Sequence, residues 1–172
     1  MIGQVRRIIN CIRTAEPVDA DEIGIVHCRT WQTAYRGMIA DSFLDALNPK
    51  KSAERFRQEQ CQNMLVAEEN GRIVGFAKYS PCRDKDLSAE FGEVDALYVL
   101  PEKQGGGFGR KLMSQAMEEL RRQGFQKAMF WVVAANQHAI QFYEKNAYHF
   151  DGTQQEYDMK GNVLLSRYVR SL

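Results

Sequence analysis

The sequence predicts an α+β fold, a mixed α/β arrangement in which helices flank one sheet within a single domain of residues 1–172. Its 172 residues are a length typical of one domain, and a hydrophobic content of 44% is ordinary for a chain with a substantial core. Strand-like runs dominate the middle of the chain. After Pro101 the pattern changes to a glycine-rich turn followed by an amphipathic helix.

The N-terminal part begins with a predicted strand and a predicted helix. Residues 8–13 are apolar enough for the strand. Asp19 followed by Glu22 resembles a capping box, which predicts the start of a helix. This helix is expected to run to about Tyr35 and to stop before Gly37.

Proline, glycine and asparagine set the limits of the other predicted elements. Pro49 interrupts a short helix, Asn70-Gly71 is the strongest short hairpin signal, and Pro101 ends a strand. Gly124 closes the helix after the glycine-rich turn, and Asn146 can act as a left-handed cap. The predicted helices cover residues 41–47, 52–60 and 136–145 and the apolar stripe Leu112, Met113, Ala116, Met117 and Leu120, with strands at residues 64–68, 72–79, 90–100, 128–133 and 163–169. The last strand is expected to be antiparallel at the end of the sheet.

The charge balance argues against large charged partners. With 23 basic and 22 acidic side chains, the formal net charge is +1, which gives no broad case for binding nucleic acid or a membrane surface. No apolar run approaches the ~20 residues that a membrane helix needs. Arg6 and Arg7 interrupt the apolar start of the chain, so no signal peptide is predicted. A cytoplasmic protein is the simplest expectation.

The cysteines and histidines predict neither a disulfide framework nor a metal site. The four cysteines form no CxxC pair, and the three histidines lack the spacing of metal ligands. Free thiols in a reducing compartment are therefore expected. These residues are Cys11, Cys28, Cys61, Cys82, His27, His138 and His149.

The segment Gln104-Gly105-Gly106-Gly107-Phe108-Gly109 places glycines between a predicted strand and a predicted helix. Without side chains, backbone N–H groups can converge on an anion, and the helix N-terminus adds unpaired N–H groups and the positive end of its dipole. A diphosphate suits such a site. A P-loop would need Lys-Ser/Thr after the last glycine, and a dinucleotide fingerprint would need glycine where Arg110 stands, so both nucleotide motifs fail on spacing.

Two motifs with a defined separation identify the carrier of that diphosphate. Gln104-x-x-Gly107-x-Gly109 resembles the Q/R-x-x-G-x-G/A signature of the GCN5-related N-acetyltransferase (GNAT) superfamily. Asn136-x-x-Ala139-x-x-Phe142-Tyr143-x-x-x-Asn146-x-Tyr148 resembles its second signature, N-x-x-A-x-x-F-Y-x-x-x-G-F, with asparagine for glycine and tyrosine for phenylalanine. Upstream, Trp31-x-x-Ala34-Tyr35-x-Gly37 is similar to a segment common in bacterial members. The likeness runs from about residue 10 to the C-terminus.

The resemblance implies a mostly antiparallel sheet with a splayed strand pair that admits acetyl-coenzyme A. The pantetheine arm of that co-substrate is expected to bind the backbone of Leu97, Tyr98 and Val99, and Asn136 to bond the arm from the neighbouring strand's end. A backbone N–H, that of Leu97, is expected to stabilise the oxyanion. The N–H groups expected to hold the pyrophosphate are those of Gln104, Gly105, Gly106, Gly107, Phe108, Gly109 and Arg110.

Transfer to an amine raises a proton problem. An alkyl amine has a pKa near that of lysine, ~10.4, so a base must remove a proton at neutral pH. Glu93, eleven residues before Gln104, is the first candidate, since that offset resembles the base position of histone-acetylating members. Asp95 is the second candidate and is expected to share the strand face of Glu93. An apolar site would raise the pKa of either carboxylate.

Three aromatic residues complete the predicted site. Tyr143 matches the superfamily's general-acid tyrosine, whose phenol can protonate the leaving thiolate. Trp31 and Tyr35 lie one helical turn apart and are candidates for lining the acceptor cleft, although such a pair more often belongs to a core.

The resulting prediction is an N-acetyltransferase that moves an acetyl group directly from acetyl-coenzyme A to a primary amine of a small molecule or a peptide, in a ternary complex and without a metal. No cysteine occupies a motif position, which disfavours a covalent acetyl-enzyme. A non-catalytic acyl-CoA sensor and a nucleotide-binding protein remain as alternatives. Whether the protein forms a homodimer is left open, and the sequence contains no recognisable motif that identifies the acceptor.

Overall fold

The computed structural model describes residues 10–172, so Ile8 and Ile9 of the predicted first strand lie outside the described residues. Within that range the chain forms seven strands, five α-helices and two short 3-10 turns, Pro17–Asp19 and Pro101–Lys103. The strands are β1 Asn10–Thr14, β2 Met64–Glu69, β3 Arg72–Pro81, β4 Phe91–Val99, β5 Lys127–Val133, β6 His149–Asp158 and β7 Asn162–Ser171. The helices are α1 Ala20–Ala34, α2 Asp41–Leu44, α3 Pro49–Gln58, α4 Phe108–Arg122 and α5 Gln137–Lys145.

The strands form one sheet in the order β1-β2-β3-β4-β5-β7-β6. Every neighbouring pair is antiparallel except β4 and β5, which are parallel, so the predicted mixed and mostly antiparallel sheet is confirmed. The predicted hairpin joins β2 to β3, and both turn residues, Asn70 and Gly71, have positive φ.

The strand β6 was not predicted, and it changes the position of the last strand. Only Thr153 in β6 is half-buried and the other nine residues are exposed, so the sequence lacks the apolar alternation that predicts a strand. β6 forms the sheet edge, and β7 lies between β5 and β6. The prediction that the last strand is antiparallel holds, but its placement at the end of the sheet is wrong.

The helices cover opposite faces of the sheet. Phe76 on β3 packs against Phe56 of α3, whereas a Cβ on the adjacent Gly75 would touch Leu112 of α4. Since successive strand residues point to opposite faces, α3 and α4 lie on opposite sides of the sheet. α1 packs closely on α3, because a Cβ on Gly24 would lie 2.4 Å from the carbonyl oxygen of Pro49.

The predicted capping box at the start of α1 is wrong. The Asp19 carboxylate accepts hydrogen bonds from the Glu16 backbone and from Arg13, and Glu22 accepts one from the backbone of Ile73 on β3. These acidic side chains therefore stabilise tertiary contacts around the first turn of α1, and the helix ends near the predicted position, with Tyr35 as its C-cap.

Two other helix limits differ from the predictions. Pro49 begins α3, because proline is tolerated in a first turn and the Asn48 side chain caps the backbone N–H groups of Lys50 and Lys51. The left-handed residue after α5 is Ala147, with φ of 64°, and Asn146 instead donates from Nδ2 to the carbonyl of Phe142.

Two negative findings apply to residues 10–172. No helix in this range is both long and apolar enough to cross a membrane. No three histidine, cysteine, aspartate or glutamate side chains in the same range come together as metal ligands would.

Candidate active site

A cleft opens where β4 and β5 separate. The two strands pair only at three positions, Phe91 with Lys127, Gly92 with Ala128, and Glu93 with Met129. β5 then stays paired with β7 along its whole length, so it diverges from β4. The resulting cavity has a volume of about 800 Å³ and is bordered by β4, the glycine-rich turn, α5 and the end of α1.

The glycine-rich turn forms one end of this cleft. Gly105 and Gly107 have φ values of 79° and 84°, in the left-handed region, and a Cβ on either would meet nothing within 4 Å. α4 begins at Phe108, so the N–H groups of its first turn have no intrahelical partner. Left-handed glycines before a helix N-terminus form a concave set of N–H donors, which suits an anion.

The predicted turn residues do not all border the cleft. Gln104, Gly105, Gly107, Gly109 and Arg110 line it. The N–H of Gly106 instead donates to the Lys103 carbonyl at 3.4 Å, and the Phe108 side chain is buried in the core.

The predicted pantetheine contacts are brought together at the same cleft. Leu97, Tyr98, Val99 and Asn136 line it. The carbonyl of Val99 is already engaged, because Nε2 of Gln104 donates to it at 3.1 Å. Oδ1 of Asn136 accepts the Ala139 N–H at 3.1 Å and so caps α5, which fixes the side chain at the cleft wall.

A β-bulge sets the orientation of the two candidate bases. Tyr79 pairs with Val94 and Lys78 with Ala96, which leaves Asp95 as an extra residue on β4. A Cβ on Gly92 would touch Leu120 of α4, so Glu93 points to the opposite face, where Arg83 binds both carboxylates. The prediction that Glu93 and Asp95 share a face therefore agrees with the geometry.

The two carboxylates have different environments. Both oxygens of Glu93 accept hydrogen bonds from Arg83, at 2.8 Å to Oε1 and 3.1 Å to Oε2. Asp95 bonds Arg83 through Oδ1 alone, and its Oδ2 is buried without a partner. Burial raises the pKa of Asp95, and the negative charge of Glu93 raises it further. The Ser80 side chain and the positive charges of Arg83 and Lys78 oppose this rise.

Three tyrosines converge on the cleft from different elements. Tyr35 follows α1, Tyr98 lies on β4 and Tyr143 lies on α5, and all three line the cavity. Burial raises the pKa of each phenol, and mutual repulsion of their charged forms adds to the effect for Tyr35 and Tyr143. The phenols are therefore protonated at neutral pH and available as hydrogen-bond donors. The Tyr143 ring packs on Phe130, with centroids 3.7 Å apart.

A second cavity of about 420 Å³ lies on the α1 and α3 side of β4. Asp95, Ala96 and Tyr98 line both cavities, so these residues border both spaces. Trp31 lines the second cavity and Tyr35 the first, with ring centroids 5.0 Å apart. The indole N–H of Trp31, close to the Tyr98 phenol, is buried without a hydrogen-bond partner.

Several residues of the second cavity had not been singled out from the sequence. They are His27, Phe43, Arg55, Phe56, Phe76, Lys78 and Arg83. Burial lowers the pKa of His27 to about 4, with a smaller effect from the Arg55 charge, so this imidazole is neutral at pH 7. The spacing of His27 one helical turn before Trp31 was a usable signal. No local sequence motif indicates that Arg83 is a residue of this site.

Arg167 fixes the loop that carries Arg83. It is 3% exposed and binds the carboxylates of Asp84, Asp86 and Asp151 at 2.7–2.9 Å. Its guanidinium also lies over the Trp131 ring, 5.6 Å from the centroid. The β3–β4 loop is thereby held against β5 and β7, next to the carboxylates that Arg83 binds.

Known proteins resemble this chain in sequence and in fold. Residues 28–148 match the model of the Acetyltransferase (GNAT) family. The uncharacterized N-acetyltransferase YuaI of Bacillus subtilis (strain 168) is 33% identical over 134 residues, which are 77% of this chain and 76% of that protein. This family match and this relative identify the chain as an acetyltransferase. The chain belongs to the acetyltransferase (GNAT) family.

Solved structures of similar fold include two with bound coenzyme. The PaiA N-acetyltransferase of Thermoplasma acidophilum, in complex with coenzyme A, gives a TM-score of 0.75 at 20% identity, covering 93% of this chain and 98% of that one. YncA of Salmonella typhimurium, with acetyl-CoA, gives 0.73 at 23% identity, covering 95% and 94%. At such identities these likenesses bear on the fold alone, which agrees with the predicted class.

Proposed function

We propose that this acetyltransferase moves an acetyl group from acetyl-coenzyme A to a primary amine, in a ternary complex, beside the residues that border both of its cavities. One observation carries the proposal. The cleft between β4 and β5 and the cavity under α1 share Asp95, Ala96 and Tyr98, so a donor in the first and an acceptor in the second would approach each other beside a carboxylate. Holding two reactants in contact supplies much of the rate acceleration of such reactions.

Acetyl-coenzyme A suits the larger cleft. Gly105, Gly107 and the first turn of α4 offer N–H donors around open space, where a pyrophosphate would fit. The cleft then continues along β4, where the backbone facing away from β3 is available to a pantetheine arm in the manner of an added strand. The coenzyme complexes of PaiA and YncA, proteins of similar fold, support acetyl-coenzyme A as the ligand.

Asp95 is the better candidate for the base. Its Oδ2 has no partner, and its raised pKa keeps it a stronger base than an ordinary aspartate. Glu93 has both oxygens bound to Arg83, so its proposed task is to hold that guanidinium in place. Asp95 would accept the proton of the amine before attack on the thioester carbonyl carbon.

Tyr143 is the proposed acid. Its phenol stays protonated because burial raises its pKa, and it borders the cleft beside the end of β4. It would give its proton to the sulfur of the departing coenzyme, while the Leu97 N–H would bond the oxyanion that develops on the carbonyl oxygen.

Direct transfer is favoured over an acetyl-cysteine intermediate. None of the four cysteines lines the donor cleft. Burial raises the pKa of Cys28, Cys61 and Cys82, which lowers the fraction of nucleophilic thiolate.

Thiol release from acetyl-coenzyme A across a panel of amines tests the proposal, with the acetylated product measured by mass spectrometry. The proposal expects one acetylated amine per free thiol, and no acetylated protein when the amine is left out. Calorimetric binding of coenzyme A with no turnover on any amine would instead support a non-catalytic sensor. Calorimetry with ATP is expected to show no binding, because the turn lacks the P-loop Lys-Ser/Thr.

A further inference from the structure

We propose that the acceptor is a small amine with a flat apolar or aromatic body and an anionic group such as a carboxylate, bound in the second cavity with the anion on Arg55. This inference rests on the proposed function and names the substrate class of the same site. Three observations carry it: the aromatic walls of the cavity, its unpaired cation, and the buried oxygen without a partner on Asp95.

The walls are built from rings that contact one another. His27 lies 5.9 Å from Tyr98 and 6.0 Å from Phe56, between ring centroids, and Phe76 lies 5.5 Å from Tyr98. Trp31 and Phe43 close another side, with centroids 6.2 Å apart. The His27 imidazole is neutral, so this wall adds no charge. Such a surface favours a flat apolar group over a flexible polar chain.

The charged residues of the cavity are paired except for one. Nζ of Lys78 lies 2.7 Å from Glu59, and Arg83 binds Glu93 and Asp95. Among residues 10–172, no carboxylate lies within salt-bridge distance of Arg55. Its guanidinium lies over Phe56, 4.8 Å from the ring centroid, so it is held at the aromatic wall with its N–H donors free.

These charges select the kind of amine. An amine bound at Asp95 finds Oδ2 ready to accept a hydrogen bond, and a carboxylate on the same molecule finds the donors of Arg55. A polycation would place a further positive charge beside Arg55, the unpaired cation of the cavity, where it would be repelled. Spermidine is therefore expected to be a poor acceptor.

The test compares three aromatic amines of similar shape and different charge, with spermidine added as a polycation, using kcat/KM from thiol release. The set is phenylalanine, its methyl ester, 2-phenylethylamine and spermidine. Phenylalanine is expected to exceed the ester and 2-phenylethylamine by about 10-fold to 100-fold, the range for a hydrogen bond to a charged group. Spermidine is expected to be slowest. Equal rates for the three aromatic amines, or spermidine as the fastest acceptor, would overturn the inference.

Arg55→Gln is expected to abolish the preference for phenylalanine over 2-phenylethylamine, a ratio that a merely structural loss of activity would leave unchanged. Arg57→Gln is the matched control, because Arg57 lies on the same helix, pairs with Asp21 and does not line the cavity. It is expected to keep the preference. A preference that survives Arg55→Gln would overturn the assignment. Failure of every amine to release thiol would instead overturn the proposed function itself.

Discussion

Arg83 donates three hydrogen bonds to Glu93, from its backbone N–H at 3.3 Å, from Nε at 3.1 Å and from Nη2 at 2.8 Å. The carboxylate is buried, whereas the arginine side chain is 71% exposed. The same guanidinium binds Asp95. An exposed cation thus binds the buried carboxylate of Glu93 and the half-buried carboxylate of Asp95, and Asp95 borders both cavities, so removal of Arg83 changes the charge balance there.

Replacement of Arg83 is expected to change the pH dependence of the reaction. The pKa of Asp95 is raised in the folded protein, and the positive charge of Arg83 opposes that rise. Arg83→Met is therefore expected to raise this pKa further. Since the base acts only when deprotonated, the acid limb of kcat/KM is expected to move to higher pH, with a greater loss at pH 6 than at pH 8.

The control for this measurement is Arg121→Met, since Arg121 is an exposed residue of α4 paired with Glu118. Its pH profile is expected to overlay that of the wild type. An acid limb that moves to lower pH in Arg83→Met would contradict the proposed effect of Arg83 on Asp95.

Tyr143→Phe tests the proposed acid. The phenyl ring keeps the packing on Phe130, while the proton donor is lost. We expect kcat to fall by about 10-fold to 1,000-fold, within or near the range for general acid catalysis, with the dissociation constant of coenzyme A changed less than about 3-fold. Stopped-flow thiol release and calorimetry measure the two quantities. A large loss of coenzyme affinity with little change in kcat would make Tyr143 a packing residue.

Gly107→Ala tests the donor turn. Alanine at a φ of 84° costs about 1–2 kcal/mol, and relaxation of the turn would move the N–H groups that face the cleft. Coenzyme A binding is expected to weaken by about 10-fold or more, a change of ~1.4 kcal/mol. Gly71→Ala is the matched control, because Gly71 has a φ of 77° with equal open space but lies in the β2–β3 turn. Equal affinities in the two variants would contradict the role of the turn.

Arg167→Met is expected to destabilise the fold by about 3–5 kcal/mol, since three carboxylates lose a buried partner. Denaturant unfolding measures this loss of stability. The control is Arg122→Met, because Arg122 is exposed and forms only an i,i+3 pair with Glu119, and this variant is expected to stay within about 0.5 kcal/mol of the wild type.

A hydrogen bond from Arg167 lowers the pKa of Asp86. The stability from this pairing is present above the ordinary aspartate pKa of ~3.9 and is lost as pH falls through the lowered value.

The acid-side loss of stability below about pH 4 is therefore expected to be shallower in Arg167→Met than in the wild type. An Arg167→Met protein as stable as the wild type, with the same acid dependence, would show that the cluster contributes nothing to folding.

The geometry around the glycine-rich turn could be predicted because it is local in sequence. The glycines, the helix start at Phe108 and the Asn136 cap act through backbone geometry within short segments, and such geometry leaves a motif. The turn between β2 and β3 at Asn70-Gly71 could be predicted for the same reason.

The second cavity, the proposed acceptor site, could not be predicted because distant segments assemble it. Arg55 comes from α3, Lys78 from β3 and Arg83 from a loop, and only the sheet brings them together. The bulge at Asp95 has no recognisable signal in the sequence, although the shared face of Glu93 and Asp95 was predicted. An exposed edge strand such as β6 lacks the alternation of apolar and polar residues that predicts a strand, so the sequence did not predict it.

Proton removal by Asp95 is tested most directly by the pH profile of kcat/KM for one amine in the wild type, Asp95→Asn and Glu93→Gln. We expect Asp95→Asn to lose about 100-fold or more at neutral pH, with the loss shrinking as the pH approaches the pKa of the amine, and Glu93→Gln to lose less. Wild-type activity and an unchanged profile in Asp95→Asn would contradict this assignment. A larger and pH-dependent loss in Glu93→Gln would contradict it too and make Glu93 the base.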